Sequence, residues 1–295
     1  LMNGTLNIVP WGGPTVRAAT ALGLQPTDVF VPMLPSLGAG LIVSLTFAWV
    51  LGPALGGWIY ATFGVVAVHG VAVATALILF ALFWYFRLGE GAVIAAAKAP
   101  PANPLVNLKR FFSQPRLRLA WMIAFARSAF WTTYFVYGPI LLVSSGMGKM
   151  SGGLFLSAGN VMLLTTMLWA RASKRHGLRK LIAISFSGLT LFLLAAGYTG
   201  NTWPMVTIAL LLIATIFGSA LDGMGSTPFL RAVKGRERPA MTSVYRTFLD
   251  FSDLVPQAVF SVVLLYFGLG SIFVALALLT GTAAFLVWRY LPKSM

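Results

Sequence analysis

Four ionisable side chains lie inside long apolar stretches, where a charge needs either a partner or a function. They are Arg127, Asp222, Asp250 and Asp253. A charged group near the middle of a bilayer costs about 2.5 to 3.5 kcal/mol on insertion scales, so such residues usually pair or line a transport path. One interpretation is mutual neutralisation, with Arg246 paired to Asp250 at the i, i+4 spacing and Arg127 paired to one of the acids. The other is that Arg127 binds an anionic solute while Asp222 or Asp253 carries a coupling proton.

Aromatic side chains and one histidine are further candidates. Trp131, Tyr134 and Phe135 share a face if their segment is helical, and they predict either the lining of a solute cavity or packing between helices. His69 lies in a different apolar stretch. It could relay protons, because histidine titrates near neutral pH, although a hydrogen-bonded packing role is the alternative.

The composition excludes a water-soluble fold. Of the 295 residues, 58% are hydrophobic and 9% are charged, whereas soluble domains carry about 25% charged residues. The net charge of +15 lies in short clusters between apolar runs, so we expect no nucleic-acid partner. The chain has no cysteine, and its apolar runs contain no nucleophile–base pair and no metal-ligand spacing. We therefore predict neither an enzyme nor a cofactor nor a metal site.

The apolar stretches have the length of transmembrane helices, which need about 20 residues to cross the hydrocarbon core. We predict an all-α integral membrane protein with about eight spans, since the sequence contains that number of long apolar stretches. The spans are predicted near 36–59, 64–86, 118–142, 152–170, 180–199, 204–229, 247–267 and 270–291.

The lysines and arginines predict the orientation of these spans. Eighteen of the 21 lie on alternate connections, whereas the loops on the opposite side hold only Lys149. Basic loops remain in the cytoplasm, so we expect both termini there and the chain in the cytoplasmic (inner or plasma) membrane. The long polar connection 87–116 divides the chain into a two-span piece and a six-span piece.

A glycine–proline motif, with Gly52, Pro53, Gly56 and Gly57, closes the first predicted span. The glycines allow a neighbouring backbone to approach closely, and the proline bends the helix and frees a carbonyl, so helix packing is one interpretation. The motif also resembles the Gly-Pro-x-x-Gly-Gly signature on the fifth helix of major facilitator superfamily transporters. The basic segment 170–180 is similar to that family's loop between its eighth and ninth helices, although the usual acidic residue is missing.

This resemblance covers roughly residues 50–295. It implies a partial facilitator-type helical bundle that corresponds to the fifth to twelfth helices, with the first four absent. Residues 51–86 would end the N-terminal half, 87–116 would form the cytoplasmic linker, and 117–295 would form the C-terminal six-helix half.

Residues 1–50 carry a different resemblance. The run from Met2 to Thr15, with Pro10, Gly12, Gly13 and Pro14, is similar to the C-terminal end of citrate–metal/proton symporters. The prolines and glycines prevent a continuous helix, and such broken segments line ion or substrate sites in secondary transporters. A plain terminal loop is the alternative. The chain is thus predicted to be composite, with a join near residues 50–52.

Together the resemblances imply a secondary transporter of a small solute. Two helical bundles would rock around a central site in the bilayer, driven by a solute or proton gradient. Symport of citrate or another organic acid with a cation is the second reading. A third is a fused or truncated transporter that has no activity alone.

Overall fold

The protein is helical throughout the part of the chain that the structure describes. A computed structural model describes residues 31, 45–85 and 104–292, and it contains no strand within these ranges. A π-helical segment, Leu45–Leu51, precedes the first helix. The helices are α1 Gly52–Phe63, α2 Val65–Tyr85, α3 Pro104–Ser113, α4 Pro115–Ser144, α5 Ser151–Val161, α6 Thr166–His176, α7 Leu178–Thr199, α8 Pro204–Met224, α9 Thr227–Ala232, α10 Arg238–Tyr266 and α11 Gly270–Tyr290.

Among the described residues, six stretches of helix are long and apolar enough to cross a membrane, which confirms an α-helical integral membrane protein. They cover 65–82, 151–176, 178–199, 204–232, 240–266 and 270–290. Helix α4 is not among them, although its 30 residues would span about 45 Å. Its Arg127 and its hydroxyl-bearing residues make it less apolar. The predicted span 36–59 begins outside the described residues, so the count of eight spans stays a prediction.

Two connections that we predicted as loops are partly helical. The basic segment 170–180 continues α6 as far as His176, and Gly177 alone separates α6 from α7. Gly177 has φ of 86°, a left-handed conformation that glycine adopts without steric cost. Within the predicted polar linker, residues 104–113 form α3, because their apolar side chains recur at helical spacing.

Two clusters of buried apolar residues hold the helices together. The larger one joins α4, α5, α7, α8 and α11, and its fully buried members include Ile123, Phe186 and Phe273. The smaller one joins α3, the start of α4, α9 and the start of α10, around Phe111 and Phe229. It lies at the basic end of the bundle. Arg127 stands between the two clusters, beside Phe248 of the smaller one.

Candidate functional site

The central feature of the bundle is an ion pair between α4 and α8. The Arg127 guanidinium donates through Nη1 to Asp222 Oδ1. The Asp222 side chain is 2% exposed and that of Arg127 is 15% exposed. Of the two interpretations of Arg127, the structure therefore contains the pairing with an acid, and it identifies Asp222 as that acid.

Trp131 completes the coordination of the carboxylate. One turn beyond Arg127 on α4, its indole Nε1 donates to Asp222 Oδ2 over 2.7 Å. Each carboxylate oxygen thus accepts a hydrogen bond from α4, which is the condition under which a buried charge is tolerated. We refer to Arg127, Trp131 and Asp222 as the polar network.

The surroundings of Arg127 hold its stem but leave part of its hydrogen-bonding capacity unused. Its Cζ lies 5.6 Å from the centroid of the Phe248 ring, within range of a cation–π contact. The Arg127 stem passes close to Gly225, just after α8, where a Cβ would lie in ordinary contact, 3.4 Å from Arg127 Cδ. Arg127 Nε is buried and has no hydrogen-bond partner within the part of the chain that the structure describes. An unpaired buried donor costs about 1 to 3 kcal/mol, so the network is held less firmly than a fully satisfied one.

Tyr134 belongs to the packing between α4 and α5. It is 1% exposed, its hydroxyl donates to the Phe155 carbonyl over 2.6 Å, and its ring stacks on Phe155 at 4.5 Å. The aromatic row continues from Trp131 to Phe135 and on to Trp49, with each pair of centroids 5.8 Å apart. Of the predicted aromatic candidates, Trp131 therefore joins the charged site, whereas Tyr134 packs between helices.

The two carboxylates of α10 lie apart from the polar network. Asp250 and Asp253 are both exposed on the surface of the described bundle. Asp253 Oδ1 accepts a hydrogen bond from Thr132 Oγ1 on α4, with a distance of 2.7 Å. Within the described part of α10, Arg246 and Asp250 form no ion pair, contrary to the i, i+4 pairing that we expected. The spacing permits that contact but does not require it, because each side chain can adopt other rotamers on the helix surface.

His69 is exposed on α2, which packs chiefly against α1. The structure therefore does not bring it to Arg127 or Asp222. The predicted proton relay at His69 therefore stays a prediction, separate from the Arg127–Asp222 pair.

The glycine–proline motif packs on α5, with only part of its residues in contact. A Cβ at Gly57 would lie 3.2 Å from the Cα of Gly153, whereas a Cβ at Gly56 would meet nothing within 4 Å. Gly52 and Pro53 form the first turn of α1, directly after the π-helical segment. The motif lies inside a helical run that ends at Phe63 and does not close a span at 59.

Two buried side chains of α5 bind the backbone where the π-helical segment meets α1. They were not among the residues predicted from the sequence. Ser157 Oγ accepts a hydrogen bond from the Ala54 amide over 2.9 Å, and Asn160 Nδ2 donates to the Trp49 carbonyl over 2.6 Å. They supply partners to backbone groups where the π-helical segment meets α1. A serine and an asparagine three residues apart in an apolar helix were the signal that could have found them, because polar groups in lipid need partners.

Comparisons with known proteins connect this architecture to transporters. Residues 158–294 match the family model described as Major Facilitator Superfamily. A protein named "Citrate transporter" from Bacillus subtilis (strain 168) is 42% identical over 52 residues, covering 18% of this chain and 12% of that protein. The "Mg(2+)/citrate complex secondary transporter" of the same organism is 45% identical over 51 residues, covering 17% and 12%. This chain therefore spans only 12% of the length of these curated relatives.

A solved structure agrees at the level of the fold. The protein described as "a bacterial homologue of iron transporter ferroportin in inward-facing state" superposes with a TM-score of 0.62 and 15% sequence identity. The match covers 87% of this chain and 64% of that protein. These findings confirm the predicted resemblances to facilitator-type and citrate transporters, and they confirm a partial facilitator-type helical bundle.

Proposed function

We propose that this chain, whose residues 158–294 match the Major Facilitator Superfamily, is a secondary transporter of a small solute. The observation that carries the proposal is the polar network between α4 and α8. Charges inside a transmembrane bundle are costly and usually mark transport paths. The apolar surfaces of the bundle supply no comparable chemistry.

Helices α4 and α8 both belong to the predicted six-helix half 117–295, so the polar network would act as a latch within that half, which opens and closes as the two helices rearrange during alternating access. When α4 and α8 separate, Asp222 loses two donors and Arg127 loses its counter-ion. Such a separation is unfavourable unless a new partner arrives. An anionic solute would replace Asp222 as the partner of Arg127, which links solute binding to the rearrangement of the helices.

A proton bound to Asp222 would also favour opening of the latch. Protonation of Asp222 removes the charge that holds Arg127, so a proton and an anionic solute both favour the open pair. Asp253 is the second candidate for the coupling proton, because it is exposed and bonded to Thr132 on the same helix as Arg127. We further propose that the basic helix ends face the cytoplasm, in the cytoplasmic membrane.

Symport of citrate or another organic acid with a cation is the second candidate. It is favoured by stretches of 51 and 52 residues that are 45% and 42% identical to the two citrate carriers. Arg127, a largely buried cation, would bind one carboxylate of such a solute. The third reading, a fused or truncated chain without activity of its own, predicts no transport by the chain alone.

The test is uptake by the full chain reconstituted in proteoliposomes. Radiolabelled citrate, with and without Mg²⁺, is measured first, followed by other organic acids and sugars, each with an imposed pH gradient. We expect accumulation of one of these solutes by the wild-type chain and its loss in Arg127→Ala. Arg171→Ala is the matched control, because Arg171 is exposed on α6 and lies away from the network.

The outcomes separate the three readings. Accumulation of a non-carboxylate solute that survives Arg127→Ala would remove the anion site. Normal proton movement, followed with a pH-sensitive dye inside the vesicles, in both Asp222→Asn and Asp253→Asn would remove the proton relay. No accumulation of any solute by the wild-type chain would favour a chain that is inactive alone.

A further inference from the structure

The short helix α3 is fixed at the basic end of the bundle, directly before α4. Phe111 is fully buried there, and its ring centroid lies 6.4 Å from that of Phe229. Phe112 packs edge-on against Trp121, with centroids 5.8 Å apart. The inner face of α3 is therefore part of the smaller apolar cluster, and its outer face has a set orientation.

The outer face of α3 combines an apolar residue with two cations. Val106 is 60% exposed, and Lys109 and Arg110 follow it at i+3 and i+4, so both flank it on the helix surface. Both basic residues are exposed. A helix with one face packed and an outer face of this kind is typical of segments that lie in the plane of a membrane interface.

The surface around α3 is strongly cationic. The exposed basic residues of the neighbouring elements are Arg116, Arg118, Arg231 and Lys234. Among the described residues at this surface, the acidic side chain is Glu237, whose Oε1 accepts a hydrogen bond from Arg110 Nη2 over 2.7 Å. That pair is solvent-exposed, so an anion could compete for Arg110 at little cost.

The position of α3 directly before α4 indicates that its outer face lies against the lipid headgroups. Helix α4 begins at Pro115, one residue after the turn that ends α3, and runs into the bundle. A helix immediately before a helix of a membrane-embedded bundle lies at the level of the lipid headgroups. Apolar side chains are favoured there beside cations that reach the phosphates.

We propose that the outer face of α3, together with Arg116 and Arg118, binds the anionic headgroups of the bilayer, with Val106 inserted between the lipids. This inference goes beyond the transport function and depends only on the membrane location of the chain. It assigns the α3 cations a binding role in addition to their effect on topology.

The chain has no cysteine, so a single probe can be placed cleanly. Val106→Cys is labelled with an environment-sensitive dye, and the full chain is placed in nanodiscs of phosphatidylcholine with increasing phosphatidylglycerol. We expect a blue shift and protection from a water-soluble quencher that grow with the anionic lipid and are reversed by salt. Asn201→Cys, in an exposed turn of an uncharged loop at the opposite end, is the matched control and should not respond.

A charge variant measures the contribution of the cations. Lys109→Gln should raise the phosphatidylglycerol fraction needed for half of the shift about fivefold, since one basic side chain contributes about 1 kcal/mol at an anionic surface. Inorganic phosphate added to phosphatidylcholine discs should not reproduce the shift. If it does, the site binds free phosphate and the lipid proposal is wrong.

Two further outcomes would also overturn the proposal. A probe that is exposed to water at every lipid composition would show that α3 does not contact the bilayer. Protection that is independent of phosphatidylglycerol, or that depends on the number of chains per disc, would show an apolar contact or a second copy in place of anionic lipid.

Discussion

Asp222 and Asp253 are both aspartates in helices of one bundle, but their surroundings differ. Asp222 is 2% exposed and takes hydrogen bonds from Arg127 and Trp131. Asp253 is exposed and takes one from the hydroxyl of Thr132. A carboxylate buried between helices needs a cation and filled acceptor sites, whereas one on the surface of the described bundle keeps open positions for a new partner. Removal of one partner of Asp222 is therefore costly, while Asp253 is free to exchange its partner.

The largest expected effect is that of Arg127→Ala. It leaves Asp222 buried without a counter-ion, which costs about 3 to 5 kcal/mol in buried pairs. Thermal unfolding of the purified chain should show a clearly lower Tm. Arg110→Ala, which breaks the exposed Arg110–Glu237 pair, is the matched control and should change Tm little. Equal effects of the two variants would contradict the comparison.

Asp222→Asn should destabilise the chain less than Arg127→Ala does. The Asp222 side chain is 2% exposed, but that of Arg127 is 15% exposed and can turn its guanidinium towards water. We expect a loss of about 2 kcal/mol, within the usual penalty for unpaired buried groups. Unfolding in denaturant, measured on both variants, checks the order. The reverse order would show that the arginine is the more deeply held partner.

Much of the fold could be predicted from the sequence, because the apolar runs that define several helices are continuous stretches of the chain. The bounds predicted for the helices that became α2, α7 and α11 agree within two residues, since uninterrupted apolar runs define them. The cost of a charge in lipid singled out Arg127 and Asp222, which form an ion pair in the structure. The sequence did not show which acid Arg127 meets, because that depends on how α4 packs against α8.

Other features depended on competition between local preferences. Segment 170–180 was expected to be a loop because it is basic, but arginine, lysine and alanine favour a helix, and only Gly177 interrupts it. Trp131 was chosen as an aromatic residue on a shared face. Its hydrogen bond to Asp222 could not be predicted, because periodicity along one helix does not give the distance between α4 and α8.

Trp131→Phe should have a smaller effect again. It keeps the ring packing against Phe130 and Phe135 but removes the donor to Asp222 Oδ2. We expect a loss of about 1.5 kcal/mol, as for hydrogen bonds to charged groups. In a chain that already carries Asp222→Leu, Trp131→Phe should cost much less, because the carboxylate that accepts the indole hydrogen bond is absent. A double-mutant cycle by thermal unfolding measures this coupling, and additive effects would contradict the hydrogen bond.

The smallest expected effect on stability is that of Asp253→Asn. The side chain is exposed, so the free energy of unfolding should change by no more than about 0.5 kcal/mol. Thr132→Val, which removes the other partner, should behave alike in the same unfolding assay. A large loss in either variant would show that this surface is covered in the folded protein.

The most direct test of the central claim removes the polar network as a unit. The triple variant Arg127→Met, Trp131→Phe, Asp222→Leu removes the charges and donors of the network together, so none of the three is left without its partner, and such replacements are often neutral or stabilising. Uptake of the solute that the wild-type chain accumulates is then measured in proteoliposomes, with Tm as the control for folding. We predict a folded protein with a Tm near that of the wild type and no uptake. Uptake at the wild-type rate would contradict the account, because the network would then serve the structure alone.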